Sequence, residues 1–260
     1  MKAIKIMAIV MFMLILVPAL SACNDTVEAS PEIPVNEGIC ESEYTQLTRI
    51  EGSPVVYILP PYSTSGDVSV EQALASRRSR RNFQDRAISA EQLSQILWAA
   101  YGVTYPAPHP RFRGGLRTTP SAGATFPLEV YVIVGNVEGI EPGVYRYISG
   151  NHTLEQVIIG DVREQVGEAA VGQTWAGVAP VALFYSAIFS RTTNFYGERG
   201  IRYVYMEVGH SAQNVHLQAE ALGLGTVVIA AFFDDMMIEI LNLPEDEVPL
   251  YLMPVGYFYE

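Results

Sequence analysis

Arg77-Arg78-Ser79-Arg80-Arg81-Asn82-Phe83 places four arginines within five residues of a 260-residue chain whose formal net charge is -12. Arginine carries a planar fork of donors that matches phosphate and carboxylate oxygens, and Ser79 adds a hydroxyl beside it. The chain's only lysines are Lys2 and Lys5, so every basic residue that follows them is an arginine. On spacing alone three readings stay open. The stretch is a phosphate site, a solvated charged face, or a surface drawn to anionic lipid.

Working outward, the stretch lies between two helix starts. Ser69 with Gln72, and Ser89 with Gln92, each carry the capping-box spacing. The first box opens a short helix that runs into the arginines. The second opens a helix with Leu93, Ile96, Leu97 and Ala100 on one face, ending at Tyr101-Gly102, where a glycine C-cap is expected. Residues 103–119 read as a long loop with Arg111, Arg113, Arg117 and His109, a natural place for substrate specificity. Pro120-Ser121-Ala122-Gly123-Ala124 follows, a run of small residues that lets the backbone approach something closely, if only by tight packing.

Strands are expected at residues 128–134, 143–148, 153–159, 178–189, 226–232 and 251–258, from their β-branched and aromatic content. Helices are expected at 161–171, with Asp161 as N-cap, and at 236–241. The clearest is 199–222, where Ile201, Val204, Tyr205, Val208, Ala212, Val215, Ala219 and Leu222 recur at steps of three and four. Strands and helices without regular alternation predict an α+β layer fold, a mostly antiparallel sheet with flanking helices.

Upstream, residues 1–22 read as an export signal, with Lys2 and Lys5 before an apolar run. Leu20-Ser21-Ala22-Cys23 resembles a bacterial lipobox, which makes Cys23 the expected lipidation site and the protein a lipid-anchored, extracytoplasmic one. A plain signal peptide and an uncut anchor are the alternatives. Residues 23–66 form an acidic tether and arm, too poor in large apolar side chains over most of their length to offset their ordering entropy. The remaining domain, 67–260, is large enough for one sizeable core.

Several function classes lose support. The excess of 28 acidic over 16 basic residues argues against nucleic acid as the main partner. No spacing among Cys23, Cys40 and the four histidines matches a metal site, and no nucleophile elbow or His-Glu-x-x-His pair is present. Gly223-Leu224-Gly225 lacks the rest of a dinucleotide fingerprint. His210 and His216 are six residues apart, off a common helix face, and read as satisfied helix histidines.

The opening stretch resembles the Arg-x-Ser-x-Arg/Lys motif, followed by an aromatic residue, of the FMN-dependent nitroreductase superfamily. Pro120 to Ala124 with Pro127-Leu128-Glu129-Val130-Tyr131 is similar to its SagB-type, azoline-oxidase-like branch. So is the order Tyr196-Gly197, Gly209-His210, Gln213-Asn214 and Ala221 to Gly225. The resemblance spans residues 67–258 in one collinear series.

What the resemblance implies is specific. The fold would be three-layered, with the long helix at the core of an obligate homodimer that holds two FMN at its interface. Arg77, Arg78 and Ser79 would hold phosphate and ribityl oxygens, and Arg81 the pyrimidine end of the ring. Pro120, Ser121, Ala122, Gly123 and Ala124 would line the ring. Ile229, Ala230 and Ala231 match the stretch whose backbone N–H faces the flavin N5. The activity implied is two-electron, ping-pong transfer from a donor such as NAD(P)H to a small-molecule acceptor. A lipoprotein that keeps the fold but only binds a ligand is the rival. Two departures stand out. No basic residue follows Arg202, so the phosphate would lean on Arg77 and Arg78 or borrow Arg199 or Arg202. And with no lysine after Lys5, the Lys-Tyr pair of azoline oxidases has no counterpart, so no acid or base is named.

Overall fold

The computed structural model describes residues 47–48, 55–107 and 109–260. The export segment, Cys23, Cys40 and most of the tether lie outside the described residues. In chain order the elements are β1 (Leu47–Thr48), β2 (Val56–Ile58), α1 (Val70–Ser76), α2 (Ala90–Tyr101), β3 (Val103–Ala107), β4 (Gly114–Arg117), β5 (Leu128–Val134), β6 (Gly143–Ile148) and β7 (Thr153–Ile159). Then come α3 (Arg163–Ala169), β8 (Val181–Ala187), α4 (Ser190–Tyr196), α5 (Arg199–Ala221), β9 (Gly225–Thr226), α6 (Asp234–Leu241) and β10 (Val248–Gly256).

Both expected capping boxes form, with each serine hydroxyl accepting from the glutamine N–H and each glutamine side chain accepting from the serine N–H. A cap of this kind is worth about 1 kcal/mol, which matters most in a helix as short as α1.

The sheet runs β1-β2-β7-β6-β5-β8-β10-β9, and every pairing between its strands is antiparallel. Strand periodicity sorts the side chains onto two faces. Val130, Val132, Leu183 and Tyr185 pack with Leu93, Ile96 and Leu97 of α2 and Val204 and Val208 of α5. Tyr131, Ile133, Phe184 and Leu252 pack on the opposite face with Val166 of α3 and Met237 and Leu241 of α6. The result is helix–sheet–helix, three layers deep, with β8 buried along its whole length.

Several local expectations change. Residues 103–119 are not an open loop; β3 and β4 pair as a hairpin of their own. The helix placed at Asp161 starts at Arg163, and Asp161 instead accepts the Arg163 N–H at 3.0 Å and pairs with its guanidinium at 2.7 Å. The strand expected over 226–232 shortens to β9, with Ile229 alone rejoining the sheet through Leu252. Helix α4 had no periodic signal. Of the α5 stripe, Val204, Val208, Ala212, Val215 and Ala219 are buried, whereas Ile201 and Tyr205 are exposed.

Gly102 is needed for a different reason from the one expected. Its backbone is extended rather than left-handed. A Cβ there would sit 2.4 Å from Trp98 Cδ1 and 2.7 Å from the Trp98 carbonyl oxygen. The backbone atom cannot swing away, so Gly102→Ala is expected to cost about 1–3 kcal/mol. Gly66→Ala, with nothing within 4 Å, is expected to be neutral. Urea midpoints of the two variants check this pair, and equal midpoints contradict it.

Candidate functional site

The arginine stretch is held by its backbone, which frees its side chains for other work. The Arg77 N–H closes α1 on the Ala73 carbonyl at 3.0 Å. Ser79 then bridges Thr226, and the Arg80 N–H reaches the Thr226 carbonyl at 3.0 Å. Phe83, buried, bridges Phe258, while Asn82 and Gln84 bond the backbone of Tyr259 and Tyr257 at 2.9 and 2.8 Å. The C-terminal residues therefore clamp the stretch by main chain and aromatic contact. Gly225 makes the approach possible, since a Cβ there would lie 2.7 Å from Arg80 Cβ and 2.8 Å from the Phe258 ring.

The four guanidinium groups have different surroundings. Arg78 donates to the carbonyls of Ala75 at 3.0 Å and Arg77 at 2.8 Å, tying it to the end of α1. Arg80 lies 4.3 Å from the centre of the Phe258 ring, and its buried Nε has no hydrogen-bond partner. Arg81 is exposed and sits 5.9 Å from the Trp175 ring. The half-buried Arg77 acts electrostatically on His216 of α5: burial first, then the Arg77 charge, push that imidazole down to about 4. His216 Nδ1 is also buried without a partner, as is Thr226 Oγ1. His216 is therefore not the satisfied helix histidine expected from the sequence.

Residues 229–231 lie on the same side of the molecule. Gln173, two residues from Trp175, donates to the Ala231 carbonyl at 3.4 Å. Ala230 and Ala231 are exposed, but the Ile229 N–H is spent on the Leu252 carbonyl at 2.8 Å. Of the three residues expected to offer an N–H to a ring, Ile229 is thus removed.

The second small-residue turn is elsewhere. Ser121 Oγ accepts the Phe126 N–H at 2.9 Å and hydrogen-bonds Glu207, in the N-terminal half of α5. Gly123 has a left-handed backbone (φ 60°) that disfavours a side chain, and a Cβ there would lie 2.6 Å from the Tyr196 hydroxyl, which would have to move. The nine helical positions from Glu207 to His216 span about 13 Å at the usual rise. Within one chain the structure gathers Arg77, Arg78, Ser79 and Arg81 with Ala230 and Ala231, while the run Pro120, Ser121, Ala122, Gly123 and Ala124 starts after Thr119, which accepts from Asn214 at 3.2 Å two residues from His216, and reaches Glu207 through Ser121. The same distance argument puts Arg202 about 21 Å from His216 along the helix. Neither Arg199 nor Arg202 of the same chain can assist Arg77.

Glu207 is the residue that the sequence reading missed. It is 2% exposed, and accepts from the Tyr101 hydroxyl at 2.6 Å. Burial pushes its carboxyl up to about 7, against the opposing hydrogen bonds of Ser121 and Tyr101 and the charge of Arg117. A carboxyl with that value can hold or release a proton at neutral pH. The signal was available, since Glu207 falls beside Val204 and Val208 on the buried side of an amphipathic helix. Among the described residues, no group of His, Cys, Asp and Glu could hold a metal ion. A 660 Å³ cleft between α1, α2 and α5, lined by Val70, Trp98, Asn214 and Gln218 among others, contains none of the expected site residues.

The nitroreductase family profile matches residues 74–257. The chain belongs to the nitroreductase family. MJ1384 of Methanocaldococcus jannaschii, a protein named for the same family, is 46% identical over 190 residues, 73% of this chain and 91% of that protein. The Microcin B17-processing protein McbC of Escherichia coli is 28% identical over 87% of this chain and 84% of its own length, which supports the SagB-type branch. An FMN reductase (NAD(P)H) of Bacillus subtilis is 25% identical over 72% of this chain and 65% of that protein. A crystal structure of a nitroreductase-family protein from Ralstonia eutropha superposes with a TM-score of 0.66 at 30% identity, covering 79% of this chain and 90% of the other. This nitroreductase-family chain is an oxidoreductase.

The raised carboxyl in this nitroreductase-fold helix has a consequence for stability. Glu207 binds its proton more tightly folded than unfolded, so between about pH 4.5 and 7 the folded state loses stability as pH rises, and above that range the penalty is constant. Glu207→Gln keeps partners for Tyr101 and Ser121 and removes the ionisation. Its stability relative to the parent protein is expected to improve by about 3 kcal/mol between pH 5 and pH 8. Urea unfolding at the two pH values measures this, and a pH-independent difference contradicts it.

Proposed function

We propose that the protein is an FMN-dependent oxidoreductase that works as a homodimer. The observation that carries this reading is the arginine stretch itself. It is fixed by backbone, it offers Arg77, Ser79 and Arg81, and the buried, unpartnered Arg80 Nε, Thr226 Oγ1 and His216 Nδ1 lie around it. The donor set fits a phosphate with a polar chain beside it. Arg77, Arg78 and Ser79 hold the phosphate and ribityl oxygens, Arg81 stabilises negative charge at the pyrimidine end, and Ala230 and Ala231 present backbone to the ring. When bound, the cofactor supplies two-electron redox chemistry between a donor such as NAD(P)H and a small-molecule acceptor, in a ping-pong cycle. Glu207 holds a proton behind Ser121, where it sets the charge beneath the small-residue turn. The FMN reductase relative supports the choice of cofactor.

Each site takes residues from two chains in this reading. One protomer provides the arginine stretch, and its partner provides Ser121 to Ala124. Phe195, Tyr196, Ile201, Tyr205 and Met206 form an exposed apolar surface on α4 and the start of α5, with Phe195 67% exposed. A patch of that kind supports an interface. We further propose that Cys23 carries lipid and tethers the domain outside the cytoplasm. Among the described residues, no helix is long and apolar enough to cross a membrane.

Purified protein is expected to be yellow, with equimolar FMN, and to bleach anaerobically on adding NADH or NADPH. Arg77→Gln and Arg81→Gln are expected to weaken FMN binding about 10-fold or more each, the weight of a charge-assisted hydrogen bond, without changing the far-UV spectrum. A colourless protein that takes up no added FMN overturns the assignment. For the dimer, Phe195→Glu with Met206→Glu is expected to give a monomer in sedimentation and to lose flavin in step. A monomeric variant that retains full flavin refutes the shared site.

A further inference from the structure

A second cluster of arginines lies apart from the proposed cofactor residues. Arg113, Arg117, Arg146 and Arg191 line a 270 Å³ pocket with Glu129, Ser149 and other residues of β5, β6 and the turn after β6. Four guanidinium groups converge there in a chain of strongly negative net charge. The carboxylates within reach balance Arg146 but not the other three. Glu155 takes Arg146 at 3.3 Å and Glu247 also acts on it, while Glu129 takes Arg191 at 2.6 Å and stands 3.9 Å from Arg113. Glu207 acts on Arg117 from behind Tyr101, and even when it is ionised, Arg113, Arg117 and Arg191 outnumber Glu129 and Glu207.

Arg117 is the centre of the cluster. Its guanidinium stands over the rings of Tyr101 and Phe126, 4.4 and 4.9 Å from their centres. It donates to neutral oxygens only: the Tyr101 carbonyl at 3.2 Å, the Arg113 carbonyl at 3.3 Å, and Ser149 Oγ. Its Nε is buried with no partner. A charge buried this far without a hydrogen-bonded carboxylate is costly unless something compensates it. Arg113 is held below the usual arginine range, first by burial and then by the nearby Arg191 charge. The arginines therefore repel one another in the state described. An arrangement that stores like charge in a small, partly enclosed pocket is stabilised by an anion.

We propose that this pocket is a binding site for a compact dianion, either a phosphate monoester head or a short dicarboxylate. The volume is below the roughly 300–1,000 Å³ typical of sites that enclose a drug-sized ligand, which favours a small anionic head over an extended molecule. The four guanidinium groups suit either oxyanion, since arginine binds planar pairs of oxygens in both. Tyr101 connects the pocket to the interior. It lines the pocket and donates its hydroxyl to Glu207, so the anion sits one side chain away from the buried carboxyl and the Ser121 turn. That position suits the charged end of a substrate or an effector of the same reaction. The proposal goes beyond the cofactor assignment and does not depend on it.

The test is calorimetric titration of the full chain with inorganic phosphate and with malonate, using chloride as the control and recording flavin content separately. One saturable site per chain for phosphate or malonate, and none for chloride, is expected. Arg113 and Arg146 are 43% and 40% exposed at their side chains, so Arg113→Gln/Arg146→Gln is expected to fold. It should weaken the anion about 10-fold or more per arginine while leaving flavin content unchanged. Tighter phosphate identifies a phosphoryl ligand, and tighter malonate a dicarboxylate; both support the site. Failure of both anions to exceed chloride overturns it. So does binding that persists in the double variant and vanishes in Arg77→Gln, which locates the anion at the other arginine stretch.

Discussion

The stiffness of α5 is the constraint on which the rest of the arrangement depends. A 23-residue helix is a rigid spacer, and this one carries Glu207 near the Ser121 turn and His216 near Arg77. Ser121 is thereby held about 13 Å along the helix from His216, although Thr119 just before it is bonded to Asn214. The helix cannot bend to shorten that distance, because it is buried against the sheet through Val204, Val208, Ala212, Val215 and Ala219. The exposed apolar side chains of α4 and α5 lie beside the Ser121 turn, through Tyr196, rather than beside the arginines.

Charge is distributed with the same economy. The chain is acidic overall, and its arginines are concentrated where the structure places small pockets or extended backbone. Solvated arginines are neutral in effect on stability, but Arg117 and Arg80 are partly withdrawn from water against aromatic rings. There the cation–ring contact offsets part of the desolvation. Glu207 shows the opposite balance. Two hydrogen bonds and a nearby guanidinium all favour its ionised form, yet burial outweighs them and its carboxyl rises to about 7. Desolvation is the larger effect at this position, which is why a residue on the buried side of a helix acquires a value useful at neutral pH.

The elements with one strong local signal were legible in the sequence. Ser69 and Ser89 with their glutamines gave both helix starts, and residues 128–134, 143–148 and 153–159 are strands at the positions expected. The arginine stretch was legible, through its resemblance, as a mark of the nitroreductase family, which the family profile over residues 74–257 bears out. What was not legible depended on distant contacts. The β3–β4 hairpin reads as a loop because its glycines and prolines carry no strand preference, and pairing alone makes it a strand. Residues 227–232 read as a strand, but only Ile229 finds a partner. Gly102 gave the right boundary for the wrong reason, since its need for a bare Cα comes from Trp98 and not from a left-handed cap. The arginines of the pocket were divided among three segments, and only folding brings Arg113, Arg117, Arg146 and Arg191 together. Glu207 was readable in principle as a charge on an apolar face, but its role required knowing that Ser121 and Tyr101 meet it.

Unpartnered buried atoms tie these observations together. Folded proteins leave few buried polar groups without a hydrogen bond, because each costs desolvation with no return. Among the described residues such side-chain atoms are Arg80 Nε, Thr226 Oγ1, His216 Nδ1, Arg117 Nε and Trp98 Nε1. They are not scattered. The first three surround the arginine stretch, the fourth belongs to the anion pocket, and Trp98 lines the cleft between α1, α2 and α5. The core proper, where β5 and β8 pack against the helices, has none. Among the described residues, unmet hydrogen-bonding capacity is therefore confined to the arginine stretch, the arginine pocket and the cleft beside Trp98.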